Sequence, residues 1–306
     1  MVKLIALGDN CIDLYRNTGE AFPGGNAVNV AVHAANAGAQ AEYLGALGTD
    51  CMAAVLLRAL AENGVRYAAC PILSGRTTKA CCYQVVSGER TFLEVLTGES
   101  WAGPINLTAK ELEHLAQADV IVSSCNAKIP QFIAAVAALP PVFAFDFGEK
   151  EKYRSPDYYD QVCRNGMDLA MFSCAPMDQE AFRAFCAPLH KRGVRHVLAT
   201  LGCAGQLLSN VETVIRHQPS SLVTRDTMGA GDTFLAVLAT SLAEVGWRRG
   251  MRLSEAVLLK ALERASRAAA ENCLRQGGIG VRVQMTMEEI RRWECSLNGH
   301  EKVSSG

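Results

Sequence analysis

The strongest constraint on the fold is an alternation that runs through most of the 306 residues. Short apolar runs of strand length take turns with longer runs at helical spacing. Val2 to Leu7 reads as a strand ending at Gly8-Asp9, and Cys11 to Tyr15 as a second short strand broken by Asp13. Gly24-Gly25-Asn26-Ala27 opens a helix of small side chains that stops at Gly38. Ala41 to Leu47 is a strand, and Asp50 caps a helix that Gly64 ends. The beat returns with helices over 108–116, 129–139, 155–164 and 177–190, interleaved with strands at 120–123, 141–145, 169–173 and 196–200. Thr108 and Glu111 have capping-box spacing, as do Thr286 and Glu289 at the start of a late helix over 286–295. Such an order predicts a doubly wound α/β domain, its mostly parallel sheet covered by helices on both faces.

One segment breaks the order. From Thr77 to Leu96 two β runs flank a turn at Ser87-Gly88-Glu89. The expectation is one domain over 1–298 carrying a small β lid made from 11–22 and about 70–98. The polar tail 299–306 reads as disordered. After 200, two short strands precede helices over 231–245 and 254–274.

Composition excludes several function classes. A net charge of −1 offers no electrostatic grip on nucleic acid or membrane. No window approaches the roughly 20 apolar residues of a membrane span, and Asp9 interrupts the N-terminal apolar run before it resembles an export signal. The twelve cysteines form no CxxC pair and the six histidines no ligand spacing, so the expectation is reduced thiols in the cytoplasm. Cys81 and Cys82, adjacent on a strand, point to opposite faces.

The stretch Arg225 to Leu235 reads RDTMGAGDTFL. Its Gly229-Ala230-Gly231 turn opens into a buried-helix pattern and leaves Asp232 in the first turn. The first N–H groups of a helix lack internal partners and attract anions. Asp232 then has two readings: a helix cap, or a base that takes a proton from a hydroxyl attacking phosphorus. Gly24 and Gly25 form either a tight turn or a surface where a polyol lies against the backbone, with Asn29 bonding its hydroxyls. Asp9 and Asp13 sit at early strand ends, where α/β sheets bind ligands, or simply turn and face solvent. TLGCAG, with Thr200, Gly202 and Gly205, marks a hairpin turn or a nucleotide-phosphate contact.

Taken together these motifs resemble the PfkB (ribokinase-like) family of carbohydrate kinases. Gly24, Gly25, Ala27, Asn29, Ala31, Gly38 and Gly48 meet the first family signature, and Asp226 through Asp232 to Ala236 meet the second, with a departure at Val237. The resemblance runs from GDNCID at 8–13 to RQGG at 275–278, and looks most like the fructoselysine 6-kinase branch. It implies a ribokinase-like fold and transfer from ATP, with Mg2+, to a sugar or sugar-amine hydroxyl; the alternatives are a kinase for fructose, ribose or a nucleoside, and a sugar- or nucleotide-binding sensor without turnover, which the altered Asn-x-x-Glu region leaves open. It also implies Asp232 as base, Gly229, Ala230 and Gly231 as anion hole, and Asp13, Gly24, Gly25 and Asn29 as sugar site. Thr200, Gly202 and Gly205 match part of the ATP site. Asp226 matches a residue near a K+ site found in some members, which leaves potassium use open. The usual Asn-x-x-Glu motif is replaced by SCAPMDQE, with Ser173 near the Asn position and Asp178 and Glu180 late. Lys150 either faces the phosphates or belongs to a solvated EKEK run. Glu94 and Glu99, or Glu20, either pair with a substrate amine, with Arg90 meeting its carboxylate, or are solvated lid charges. An exposed lid edge favours a homodimer.

Overall fold

The computed structural model describes residues 1–73, 78–86, 89–97, 105–218 and 225–298. The Ser87-Gly88 turn, Glu99, the start of the hairpin at Thr77 and the tail 299–306 lie outside the described residues, as does the Arg90 side chain.

The main sheet is built from β1 (Lys3–Leu7), β4 (Gln40–Leu44), β7 (Val120–Ser124), β8 (Val142–Asp146), β9 (Met167–Ser173) and β10 (Val194–Thr200), all parallel. An antiparallel meander, β11 (Gln206–Ser209) and β12 (Val214–His217), completes one edge. The order is β12-β11-β10-β9-β8-β7-β1-β4. From β1 the chain moves first to β4 on one side and later to β7 on the other. The crevice beyond the ends of β1 and β7 is therefore a topological switch point, where open α/β sheets bind ligands.

The strands read as continuous apolar runs because both faces are covered. Leu4, Ala6, Val122, Ala144 and Met171 pack against α1 (Asn26–Asn36), α2 (Cys51–Glu62), α7 (Ala230–Glu244) and α8 (Glu255–Asn272). Their alternates Ile5, Leu7, Ile121, Phe145 and Phe172 pack with α3 (Ala109–Leu115), α4 (Pro130–Ala137), α5 (Pro156–Val162) and α6 (Gln179–Lys191). Side-chain alternation along a strand feeds two separate cores from one sheet. Each buried Leu, Ile or Phe contributes about 1.5–3 kcal/mol of burial. Thr108 and Glu111 do form a capping box at α3.

A second sheet orders as β13 (Val283–Gln284), β3 (Glu20–Gly24), β2 (Cys11–Tyr15), β5 (Ala80–Val86) and β6 (Glu89–Leu96). Ile12, Leu14, Ala21, Ala80 and Cys82 bury one face against Met52 of α2 and Ile290 and Trp293 of α9 (Met287–Asn298). Cys81 points the other way, as its neighbour's burial requires. This sheet is larger than expected: it reaches Gly24 and takes a strand from the C-terminal region, while 70–73 and 78–79 lie outside it. Pro23 and Gly24 read locally as strand breakers, yet pairing with β2 holds them in register. β4 ends at Leu44, three residues before the expected Leu47, which makes an isolated bridge to Ile72 instead.

Asp50 ties the layers together. Its Oδ1 accepts from Ala53 N and Thr78 Oγ1, and its Oδ2 from Thr78 N and Trp293 Nε1, all at 2.7–2.9 Å. The residue expected only to cap α2 thus joins that helix to the segment leading into β5 and to α9.

Candidate active site

Two helix starts meet at the switch point. α7 begins after Gly229, whose φ of 72° is left-handed and whose Cα faces Gly278 so closely that a Cβ would lie 2.7 Å from the Gly278 carbonyl oxygen. α1 begins after Gly25, with φ 106° and room for a Cβ only 2.7 Å from Asn10 Cα. Both positions require glycine. His33 of α1 locks the same loop by donating from Nε2 to the Gly278 carbonyl at 2.8 Å, its pKa lowered by burial.

Asp232, 9% exposed, lies between the two helices. Asn26 Nδ2 donates to its Oδ1 and Asn29 Nδ2 to its Oδ2, each at 2.8 Å. The i, i+3 spacing puts both amides on one face of α1. Asn126, after β7, donates to Asn26 Oδ1 at 2.7 Å and so turns the Asn26 amide nitrogen toward Asp232. Burial pushes the Asp232 carboxyl up to about 7; the Asn29 and Asn26 bonds oppose this, and the nearby charges of Asp146 and Asp9 add to it. Asp146, at the end of β8, is itself raised to about 6 by burial, against a bond from Gly148 N–H at 2.8 Å. A carboxylate near neutrality at a helix start is poised to exchange protons at ordinary pH.

A cavity of about 430 Å³ opens over Asp232, lined also by Gly229, Gly231, Asn126, Asp146, Lys150 and Ser173. Of the expected anion hole, the Ala230 N–H is already engaged by the Thr227 carbonyl at 3.2 Å. Gly229 and Gly231 line the cavity and Ala230 does not. Lys150, exposed within the EKEK run, sits on the cavity wall. Asp146, Glu149 and Ser173 offer the oxygen donors that suit Mg2+. Asp178 and Glu180 do not: Asp178 caps α6 by accepting from Ala181 N at 2.8 Å, and Glu180 is exposed in its first turn.

The sugar-site expectations divide. Asp13, Gly24 and Asn29 are contiguous, since a Cβ on Gly24 would lie 3.2 Å from Asn29 Oδ1 and 3.6 Å from Asp13 Oδ2. Asn29 Oδ1 is buried without a hydrogen-bond partner among the described residues. Asp9 pairs with Lys79 Nζ at 3.5 Å. Glu94 corrects an expectation: it pairs with Arg16 at 2.7 Å, opposite Cys82 on the α9 side of the sheet, and Arg16 also holds Glu294. Glu20 likewise pairs with Arg282 at 2.9 Å. Thr200 is beside Ser173 in register, and Gly202 and Gly205 form the hairpin turn into β11 without lining the cavity. Asp226 accepts from Met228 N and Gly277 N, both at 3.0 Å, tying the turn before α7 to the loop after α8.

The sequence profile of the pfkB family carbohydrate kinases matches residues 1–283. The chain belongs to that family. As a pfkB kinase it is a phosphotransferase acting on a sugar hydroxyl. It is 31% identical over 257 residues to a fructoselysine 6-kinase of Shigella flexneri, covering 84% of this chain and 94% of that one. It is 28% identical over 292 residues to the fructosamine kinase FrlD of Bacillus subtilis (strain 168), covering 94% and 96%. A ribokinase of Arabidopsis thaliana, solved with ribose and ATP, superposes with a TM-score of 0.76 at 20% identity over 96% of this chain and 99% of that one. The fold is thus ribokinase-like. Asn26, Asn126 and Asp146 were missed as site residues in this kinase. Asn26 had a signal, its three-residue spacing from Asn29; Asn126 and Asp146 had only their places at strand ends.

Proposed function

We propose that this kinase transfers the γ-phosphoryl group of ATP to a primary hydroxyl of a fructosamine such as fructoselysine, with Asp232 as general base. The carrying observation is Asp232 itself, buried, raised to about 7 and aimed by Asn26 and Asn29 at the start of α7. The acceptor hydroxyl gives its proton to Asp232 as its oxygen bonds to phosphorus and the bond to the ADP oxygen breaks. Main-chain N–H groups of Gly229 and Gly231 and the Lys150 side chain face the phosphates. Thr200, Gly202 and Gly205 contribute to the nucleotide site, as the family resemblance implies. Asp13, Gly24, Gly25 and Asn29 hold the sugar, whose hydroxyl satisfies the orphan Asn29 Oδ1. Asp9 supports this wall through Lys79. Bound Mg2+ offsets charge on the phosphoryl oxygens, and Asp146 and Glu149 are the residues that would hold it.

Residues 1–298 act as one kinase unit, its second sheet closing over the acceptor as a lid. Its place is the cytoplasm, where twelve cysteines persist as thiols; no described helix is long and apolar enough to cross a membrane. Strand β6 ends the second sheet's order and exposes Phe92 and Val95, 55% and 45% accessible, so a second copy would dock there. A Phe92→Arg chain that sediments like the parent excludes that edge.

The test is ADP release across fructoselysine, fructose, ribose and a nucleoside, with and without K+. Fructoselysine is expected to give the highest kcat/KM. Equal rates on all acceptors, or ADP release without phosphorylated sugar, rejects the assignment.

A further inference from the structure

Beside the proposed acceptor site the second sheet sets two cysteines that phosphoryl transfer does not use next to Asp13, which the acceptor reading does use. Cys11 and Asp13 lie two apart on β2, on the face opposite Ile12 and Leu14. Cys81 stands opposite Asp13 on the parallel strand β5. The two sulfurs and a carboxylate oxygen all lie within 4.8 Å of one another, and among the described residues this is the one such group of possible ligands. Cys11 is 6% and Asp13 7% exposed, while Cys81 is half-buried. The thiols of the described residues are free.

The chemistry of this set is selective. Two thiolates favour thiophilic cations of the zinc class over Mg2+, which prefers oxygen. Sulfurs bound at about 2.3 Å in a tetrahedral site stand about 3.8 Å apart, within the spread already present. Two thiolates and one carboxylate exceed the charge of a divalent ion by one negative charge. Lys79, 12% exposed and near enough to both sulfurs to interact with their charge, offsets it. Strands fix the backbone at all three positions, so binding asks only for side-chain rotation.

We propose that Cys11, Asp13 and Cys81 form a site for a zinc-class divalent cation, and that an ion held there withdraws Asp13 from the sugar and blocks the acceptor. The blocking rests on the reading of Asp13 as an acceptor ligand; the binding does not. The fourth coordination position would be left to water.

The experiment has two arms on the full, reduced chain. In the first, Co2+ is titrated as a spectroscopic probe. One equivalent is expected to raise a thiolate-to-cobalt charge-transfer band that is lost in Cys81→Ser and in Cys11→Ser, weakened in Asp13→Asn and unchanged in Cys203→Ser, an exposed thiol elsewhere. Circular dichroism confirms that each variant is folded, and Cys81, the least buried ligand, gives the decisive one. No band in the parent chain, or a full band in folded Cys81→Ser, overturns the site. In the second arm, Zn2+ at saturating Mg-ATP raises the KM for the acceptor, and the Zn2+ concentration that doubles it rises at least tenfold in Cys81→Ser. Zinc inhibition competitive with ATP, or equal in both chains, overturns the block. A cobalt band in a chain that phosphorylates no acceptor counts against the kinase assignment alone, whereas turnover without the band counts against the metal site alone.

Discussion

Replacing Asp232 by Asn removes a proton equilibrium while keeping the side-chain shape, and the structure sets the size of the effect. In the folded chain this carboxyl is raised from the ordinary 3.8 to about 7. Between those values the folded state keeps a proton that the unfolded chain has released, so stability falls as pH rises through the window. At about 1.4 kcal/mol per pKa unit, roughly 3 kcal/mol is lost between pH 5 and pH 8, nearly all of it below pH 7. A neutral Asn escapes that loss. Against it, Asn26 and Asn29 both donate to Asp232, and an amide has one oxygen to accept with, so about 1 kcal/mol of hydrogen bonding goes. Near parity with the parent is therefore expected at pH 5, and a variant more stable by about 3 kcal/mol at pH 8. Urea unfolding of both chains at the two pH values measures this. Asp146, raised to about 6, titrates in the same window but is common to both chains and drops out of the difference. Turnover of the variant should fall by orders of magnitude at either pH. A stability difference that is the same at pH 5 and pH 8 would refute the reasoning, because Asp232 would then already be ionised at pH 5.

Asn26→Ala removes one donor from the ionised Asp232, so the acid limb of kcat/KM moves to higher pH, by up to about one unit; a pH profile with an unmoved limb rejects the clamp. Gly229→Ala forces a Cβ into a left-handed residue 2.7 Å from the Gly278 carbonyl. It should lose about 3 kcal/mol of stability together with most turnover, read by thermal melting and initial rates. Asp50→Ala strips the acceptor from Ala53, Thr78 and Trp293 and should cost about 3 kcal/mol, seen as a lower melting temperature. Unchanged melting would mean that the second sheet is held without it.

The chemistry of the site follows from where charge is buried. Asp232, Asp146 and Asp9 act on one another because the switch point gathers the ends of β1 and β8 and the start of α7. Neutral amides on α1 orient Asp232 without neutralising it. A cation in their place would hold the carboxyl ionised and weaken it as a base.

Much of this protein was legible as a string. Alternating strand and helix periods determined the doubly wound sheet, because each period states which faces are buried. GAGD before a long apolar run determined that Asp232 begins a buried helix, since glycine turns and helix starts are local events. What tertiary structure alone decided are the long-range contacts. Strand β3 exists through its pairing with β2, despite Pro23 and Gly24. The bond from Asn26 to Asp232 spans 206 residues. Glu94, read as a substrate contact, faces Arg16 and Glu294 because strand register, invisible locally, set its face. Local propensity is written in neighbouring residues. Which charge meets which amide depends on packing that brings distant segments together, and so does the elevated pKa of Asp232.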